Sequence, residues 1–358
     1  QIIEKTGQGQ PMLSRMAEMF VARLQDEQDA DVVSRLAGAL ALIVDMWLRS
    51  GDLGVALDLM RKSERLAASG APAARRGGEK LSEALARAGS EKMFKKLTEM
   101  LLEGSDQSSM QAAEILKRGG DRTAHYLIER LAEEENRSHR ARLVALLKEM
   151  GKGTSRPFIA RLEDARWFLV RNVVGILGDI GDPAVLPDLA RVASHNDPRV
   201  RREVIRTVTR FGGAESEELV VSALQDEDRG VQMTAVNALA TLKTKRSIGV
   251  LASLARKSGS YQNAPAEVRQ EALICLGRLG TPEAFPILKE ILTRKGFLGH
   301  SEPTETRVSA AKALGSVATA EARTLLSELA AKDSRQAVRE AAKEALHELA
   351  TPSVGQTS

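Results

Sequence analysis

The strongest constraint on this chain is a turn-then-helix pattern that returns at nearly constant intervals over most of its 358 residues. One copy, from Asp197 to Val208, reads Asp-Pro-Arg-Val-Arg-Arg-Glu-Val-Ile-Arg-Thr-Val. We mark each copy by one reference residue. Each helix has a leucine-like site followed directly by a small or polar residue, and the reference residue lies eight positions before that small or polar residue. The reference residues are Ser109, Arg140, Val170, Arg201, Gln232, Arg269, Arg307 and Arg339. Their spacings are 31, 30, 31, 31, 37, 38 and 32 residues. A period in this range, with two helices per unit, predicts an all-α chain, an α-solenoid in which antiparallel helix pairs form a right-handed superhelix.

The clearest copies carry a recognisable sequence signature. Val268 to Gly277 is followed by a Leu-Gly-Thr-Pro turn, and Val338 to Leu346 repeats the Val-Arg pair. In period, Val-Arg pairs and Gly-Asp-Pro or Gly-Thr-Pro turns, residues 104–350 resemble HEAT repeats, particularly the short bacterial kind similar to the phycobilisome-lyase type. The resemblance implies a curved stack of helix pairs that mostly binds other macromolecules, with occasional enzymatic members. A bilin-lyase-like role is implied only by the repeat subtype.

The turn inside each repeat usually bears an aspartate. We expect these side chains to cap the second helix by accepting backbone N–H bonds, at Asp106, Asp164, Asp197, Asp228 and Asp333. By resemblance to HEAT repeats, the reference arginines are expected to pair with the aspartate of a neighbouring turn, at Arg201, Arg269, Arg307 and Arg339. This ladder would set the register of the stack.

The domain organisation follows from breaks in the pattern. Residues 1–70 are predicted to form an N-terminal helical segment that either caps the first repeat or acts as a separate docking module. Residues 71–80, with a proline and paired glycines, are predicted to be a flexible connection. Residues 81–350 form the repeat array, and residues 351–358 are expected to be a disordered tail.

Composition limits the classes of function. Lys and Arg total 52 against 48 for Asp and Glu, and the net charge of +4 does not by itself argue for a nucleic-acid or membrane partner.

The single cysteine, Cys275, excludes an intramolecular disulfide, fits a reducing compartment and favours a cytoplasmic protein. It sits at a core position with no basic residue evident nearby, which predicts an inert buried thiol. No run of 18 apolar residues predicts a membrane span. The first residue, Gln1, suggests a fragment or trimmed product.

Motifs of catalysis and metal binding are weak in this sequence. The 5 histidines are scattered, and Gly151 to Ser155 lacks the spacing of a phosphate loop. We therefore predict a non-enzyme without a metal, cofactor or catalytic residue.

One enzymatic alternative remains, because DNA-alkylation glycosylases also use HEAT-like repeats, with Trp, Asp and Arg on a concave basic surface. Trp167, Asp164, Arg166 and Arg171 supply those residue types without a local motif.

A candidate partner surface emerges from the helical period. Residues one, five and nine positions after each reference residue point away from the core, and stacking aligns them along the array. They grade from basic through mostly uncharged to acidic: Arg171, Arg202, Arg206, Arg210, Met233, Asn237, Gln270, Ile274, Arg278, Glu340, Glu344 and Glu348. The leading interpretation is a non-catalytic adaptor or scaffold that docks a protein there. The alternatives are a solvated face, or a nucleic-acid binder using the stripe from Arg199 to Arg210.

Two long spacings locate extra residues in successive turns, at 256–267 and 293–305. Extra residues in the same turn of adjacent units project from one edge of a solenoid, and such an edge is often the binding face. The candidates for partner contact there are Tyr261, Phe297, Leu298 and His300. In the alternative, Tyr261 and Phe297 fold back to cover the enlarged turns.

Overall fold

A computed structural model describes residues 9–350 except residues 89, 154, 282 and 294–301. All regular secondary structure in these residues is helical, which confirms the all-α prediction. The chain divides into two compact units, Gln1–Ala160 and Arg161–Ser358.

Unit one begins with four helices of 18, 21, 15 and 17 residues. Asp29 caps the second helix by accepting from the N–H groups of Asp31 and Val32, and Gly51 ends it in the left-handed region at φ 95°. The helices are α1 (Gly9–Asp26), α2 (Ala30–Ser50), α3 (Leu53–Ala67), α4 (Pro72–Ala88), α5 (Glu91–Glu103), α6 (Asp106–Arg118), α7 (Gly120–Glu133), α8 (Arg137–Gly151) and α9 (Arg156–Ile159).

The structure corrects the prediction of a flexible connection at residues 71–80, because α4 begins at Pro72 and continues through the paired glycines. A Cβ atom at Gly77 would lie 2.6 Å from the carbonyl oxygen of Leu24, and one at Gly78 would overlap the backbone of Ala67. The glycines therefore let α4 approach α1 and α3 closely, where any larger side chain would clash. The role of residues 1–70 as a cap or a separate module stays a prediction, and residues 351–358 lie outside the described part of the chain.

Unit two is a series of helix pairs. Its helices are α10 (Trp167–Ile180), α11 (Leu186–Val192), α12 (Pro198–Phe211), α13 (Gly213–Ser222), α14 (Arg229–Leu242), α15 (Lys245–Arg256), α16 (Ala266–Leu279), α17 (Ala284–Thr293), α18 (Thr304–Gly315), α19 (Ala320–Lys332) and α20 (Gln336–Ala350). The even-numbered helices are the second helices of the repeats, and each packs beside the next along the chain. This is the α-solenoid arrangement predicted from the period.

Small residues allow the second helices to pack tightly. A Cβ atom at Gly277 of α16 would lie 2.5 Å from the carbonyl oxygen of Ala313 in α18. A Cβ atom at Gly315 of α18 would lie 2.8 Å from the Cβ atom of Ala345 in α20. Each glycine stands eight positions after its reference residue and faces the sixth position of the next unit. Cys275 also occupies a sixth position, which explains a small buried side chain there.

The predicted arginine ladder is confirmed for two reference arginines, each of which pairs with an aspartate in the turn of the next unit. Arg201 bonds the carboxylate of Asp226 at 2.8 and 2.7 Å while donating to the carbonyl oxygen of His195 at 2.8 Å. Arg307 bonds Asp333 at 2.5 Å and the carbonyl oxygen of Leu292 at 2.9 Å. Each guanidinium thus ties its own turn to the turn of the next unit. Arg201 and Asp226 expose only 8% and 12% of their side chains, so this pair is buried rather than superficial.

Other rungs of the ladder differ from the prediction. Arg269 pairs with Glu302 at 2.7 Å, so a glutamate replaces the expected aspartate. Arg339 donates to the backbone oxygen of Asp333 at 2.7 Å rather than to a neighbouring carboxylate. Gln232, which stands where other units have arginine, donates to the backbone oxygen of its own turn at 2.8 Å.

The aspartate caps are confirmed at two of the five predicted positions. Asp197 accepts from the N–H of Arg199 at 2.8 Å, and Asp228 accepts from that of Val231 at 2.9 Å. Asp164 and Asp333 instead accept, at 2.9 and 3.0 Å, from the N–H groups of Arg166 and Arg335, which precede α10 and α20. The prediction for Asp106 was wrong, because Ser105 is the capping residue of α6.

Candidate functional site

The second helices of unit two present one continuous set of accessible side chains. We call the residues one, five and nine positions after the reference residues of α10, α12, α14, α16, α18 and α20 the second-helix face. None of them is buried, and the predicted members on it are Arg171, Arg202, Arg206, Arg210, Met233, Asn237, Gln270, Ile274, Arg278, Glu340, Glu344 and Glu348. These residues share a face because four-residue steps keep a side chain within a narrow arc of a helix.

In α12 the division between core and face is sharp. Val200, Val204 and Val208 are buried, whereas Arg206 and Arg210 expose 58% and 44% of their side chains. The three valines therefore occupy the stacking surface, and Arg206 and Arg210 are left to solvent.

Polar bridges connect neighbouring helices across the second-helix face. Arg210 of α12 bonds Asp179 of α10 at 2.7 Å, and Lys312 of α18 bonds Glu344 of α20 at 3.1 Å. These exposed pairs link α10 to α12 and α18 to α20, and each contributes at most about 1 kcal/mol to stability.

A polar cluster links α14 to α16 in the middle of the face. Asn237 donates to Glu271 at 2.9 Å and accepts from Arg278 at 2.6 Å. The same Arg278 nitrogen lies 2.9 Å from the sulfur of Cys275. Burial, the largest influence, raises the pKa of the Cys275 thiol. The expectation that no basic residue lies nearby was therefore wrong, although the thiol is buried and stays protonated at neutral pH.

The residue types suggestive of a glycosylase do not form an open site. Arg166 donates to both carboxylate oxygens of Asp164 at 2.9 and 2.8 Å, and these bonds lower the pKa of Asp164 to about 2. The guanidinium carbon of Arg199 lies 3.3 Å from the ring centroid of Trp167, so it covers a face of the indole. Arg171 is exposed on α10. The carboxylate of Asp164 is therefore paired with Arg166, and one face of the Trp167 indole is covered by Arg199.

Arg199 is also fixed by its own turn. It donates to the two carboxylate oxygens of Asp197 at 3.0 and 2.7 Å, and these bonds lower the pKa of that carboxyl to about 2. The basic stripe from Arg199 to Arg210 is therefore partly neutralised at both of its ends, by Asp197 and by Asp179.

The first long turn is folded against the protein. Tyr261 ends a short 3-10 helix, Gly259–Tyr261, and is half-buried. Burial raises the pKa of its hydroxyl. This placement agrees with a tyrosine that covers the enlarged turn. The other candidates in the long turns, Phe297, Leu298 and His300, lie outside the described residues.

Two features are absent from the described residues. No grouping of three or more His, Cys, Asp or Glu side chains in this part of the chain has the geometry to hold a metal ion. Within the same residues, no helix combines the length and apolarity needed to cross a bilayer.

Comparison with known families decides the nature of the repeats. A model of HEAT repeats matches residues 124–200 and 187–267, and a model of the PBS lyase HEAT-like repeat matches residues 268–294. The chain contains HEAT repeats. No curated protein matches it.

Three solved structures are similar to this chain. Human deoxyhypusine hydroxylase in complex with glycerol is 23% identical, with 73% of this chain and 96% of that chain covered and a TM-score of 0.30. The Escherichia coli protein YibA is 14% identical, with coverages of 74% and 94% and a TM-score of 0.40. Importin beta is 14% identical, with coverages of 95% and 48% and a TM-score of 0.39.

Proposed function

We propose that this protein is a non-catalytic interaction scaffold that binds a protein partner along the second-helix face. The observation that carries the proposal is a face formed by six adjacent helices, with Met233 and Ile274 accessible at its centre. Ile274 exposes 39% of its surface, and we propose it as an apolar contact at the centre of an interface with a polar rim. We also propose that the first long turn, residues 256–267, contacts the partner through the accessible part of Tyr261.

The competing function is nucleic-acid binding through the arginines of α12. Its support is three accessible arginines on one helix, Arg202, Arg206 and Arg210. Against it stand the pairing of Arg210 with Asp179 and the acidic side chains of α20 on the same face. Phosphate binding through these arginines would weaken steeply as salt rises. A bilin-lyase-like role has support only from the match at residues 268–294.

The proposal is tested by capturing partners from the native host with the full chain. An Ile274→Asp variant places a charge in the centre of the face, and Ser327→Asp makes the matched change on an exposed position of α19. We expect the first variant to lose the captured protein and the second to retain it, both with unchanged helicity by circular dichroism. Equal capture by both variants would contradict the site.

A second measurement separates the two functions. Duplex and single-stranded oligonucleotides are titrated into the full chain at low ionic strength. We expect no saturable binding on the scaffold proposal. Binding that disappears with added salt and in Arg202→Ala and Arg206→Ala variants would instead support the nucleic-acid function.

A further inference from the structure

The part of the second-helix face between α12 and α20 carries opposite charge at its two ends, at equivalent positions. At its three face positions α12 has Arg202, Arg206 and Arg210. At the same three positions α20 has Glu340, Glu344 and Glu348. A partner that matches both ends must itself be charged in opposite senses at its two ends.

Internal pairing leaves both ends able to bind. Among the carboxylates of the described residues, Arg206 pairs only with Glu203 of its own helix, at 3.3 Å. Arg202 donates a long hydrogen bond, of 3.4 Å, to the carbonyl oxygen of Pro198. A guanidinium has five N–H donors, so several remain for a ligand carboxylate. On α20, Glu340 pairs with Lys343 at 3.2 Å, and a carboxylate accepts more than one such bond.

The helices between these ends present apolar side chains. Met233 of α14, Ile274 of α16 and Val308 of α18 are all accessible on the second-helix face. Covering them with apolar groups of a partner contributes roughly 25 cal/mol per Å² of apolar surface removed from water. The same helices also present Arg278 and Lys312, each bonded to a neighbouring side chain, so the centre favours an apolar stretch without basic side chains.

We propose that the partner is a linear protein segment with carboxylates at one end, apolar side chains in its middle and basic side chains at its other end, an inference that rests on the proposed function. Four helix-to-helix steps separate α12 from α20, and packed helices lie about 8 to 10 Å apart. An extended chain covers that distance of roughly 32 to 40 Å with about 10 to 12 residues. A polyanion such as nucleic acid would meet its own sign of charge at α20 and is disfavoured there.

The test selects binders from a displayed library of random peptides of about 16 residues, long enough to span the face, with the full chain as bait. We expect the enriched sequences to segregate Asp and Glu from Lys and Arg at opposite ends of an apolar stretch. Their affinity should fall at least about tenfold in the double variant Arg202→Glu, Arg206→Glu, because like charges then meet. Lys245→Glu, on an exposed position of α15, is the matched control and should leave affinity unchanged.

The outcomes separate this inference from the proposed function. Enriched peptides that lose affinity for Ile274→Asp but carry one sign of charge, or unsegregated charges, would contradict the segment and leave the site standing. Some peptides could bind Ile274→Asp and the arginine variant as tightly as they bind the native chain. Such peptides would occupy another surface, and this result would contradict both the segment and the proposed site. A selection that enriches no sequence would also count against the proposal. Melting curves of each variant verify that the fold is intact.

Discussion

Arg201 shows how one residue holds two repeats together. Its guanidinium bonds Asp226 of the next turn and two carbonyl oxygens of its own turn, at 2.8 and 3.1 Å. Because the group is nearly enclosed, removing it leaves a carboxylate and two carbonyl oxygens without their donors.

We therefore expect Arg201→Ala to lower the free energy of unfolding by about 3 kcal/mol. Arg206→Ala, on the exposed face of the same helix, removes only an exposed i,i+3 pair and should cost less than about 1 kcal/mol. Urea denaturation of both variants measures the difference. Equal effects would show that the buried ladder contributes no more than a surface ion pair.

Protonation of single carboxyl groups gives a second prediction at this scale. The folded-state pKa values of Asp164 and Asp197 are lowered from 3.8 to about 2, so their stabilisation is fully present above pH 3.8 and is lost as the pH falls towards 2. Asp197→Asn keeps a capping side chain but removes the charge. We expect the variant to melt below the native protein at pH 7 and to approach it near pH 2. A gap that persists at low pH would argue against the charged pair with Arg199.

At the scale of the helix, glycines determine how closely neighbouring second helices approach each other. Gly277 of α16 faces the backbone of Ala313, whereas Gly249 of α15 has open space around it. Gly277→Ala is expected to destabilise the protein by about 1 to 3 kcal/mol through overpacking. Gly249→Ala is expected to stabilise it by up to about 1 kcal/mol, since alanine is the better helix former. Calorimetric melting of both variants checks the opposite signs, and a loss of stability in both would contradict the stacking argument.

Sequence periodicity predicted the helices of unit two and the accessible positions on them, because core and surface alternate with the helical turn. It did not predict the bridge from Asp179 to Arg210, since that contact depends on how far α12 slides along α10. It also misjudged Gly77 and Gly78, which have the composition of a linker but serve as a packing surface. The contact between Cys275 and Arg278 could have been found, because residues three apart are neighbours on a helix.

For the whole molecule, the feature that bears on partner choice is the second-helix face of unit two, which has positive charge concentrated on α12 and negative charge on α20. Arginines on α12 and glutamates on α20 flank helices whose accessible side chains include Met233 and Ile274. Packing and ladder bonds use the buried residues, so the repeat stack leaves this face free to specify a partner.

The most direct test of the central claim is photo-crosslinking inside the native host, with a photoreactive phenylalanine analogue placed at one position of the chain at a time. Placed at Ile274, on the second-helix face, it should give a discrete covalent adduct with one partner protein. Placed at Ser327, on an exposed position of α19, it should not. An adduct at Ser327 with none at Ile274, in proteins that fold equally well, would contradict a partner site on the second-helix face.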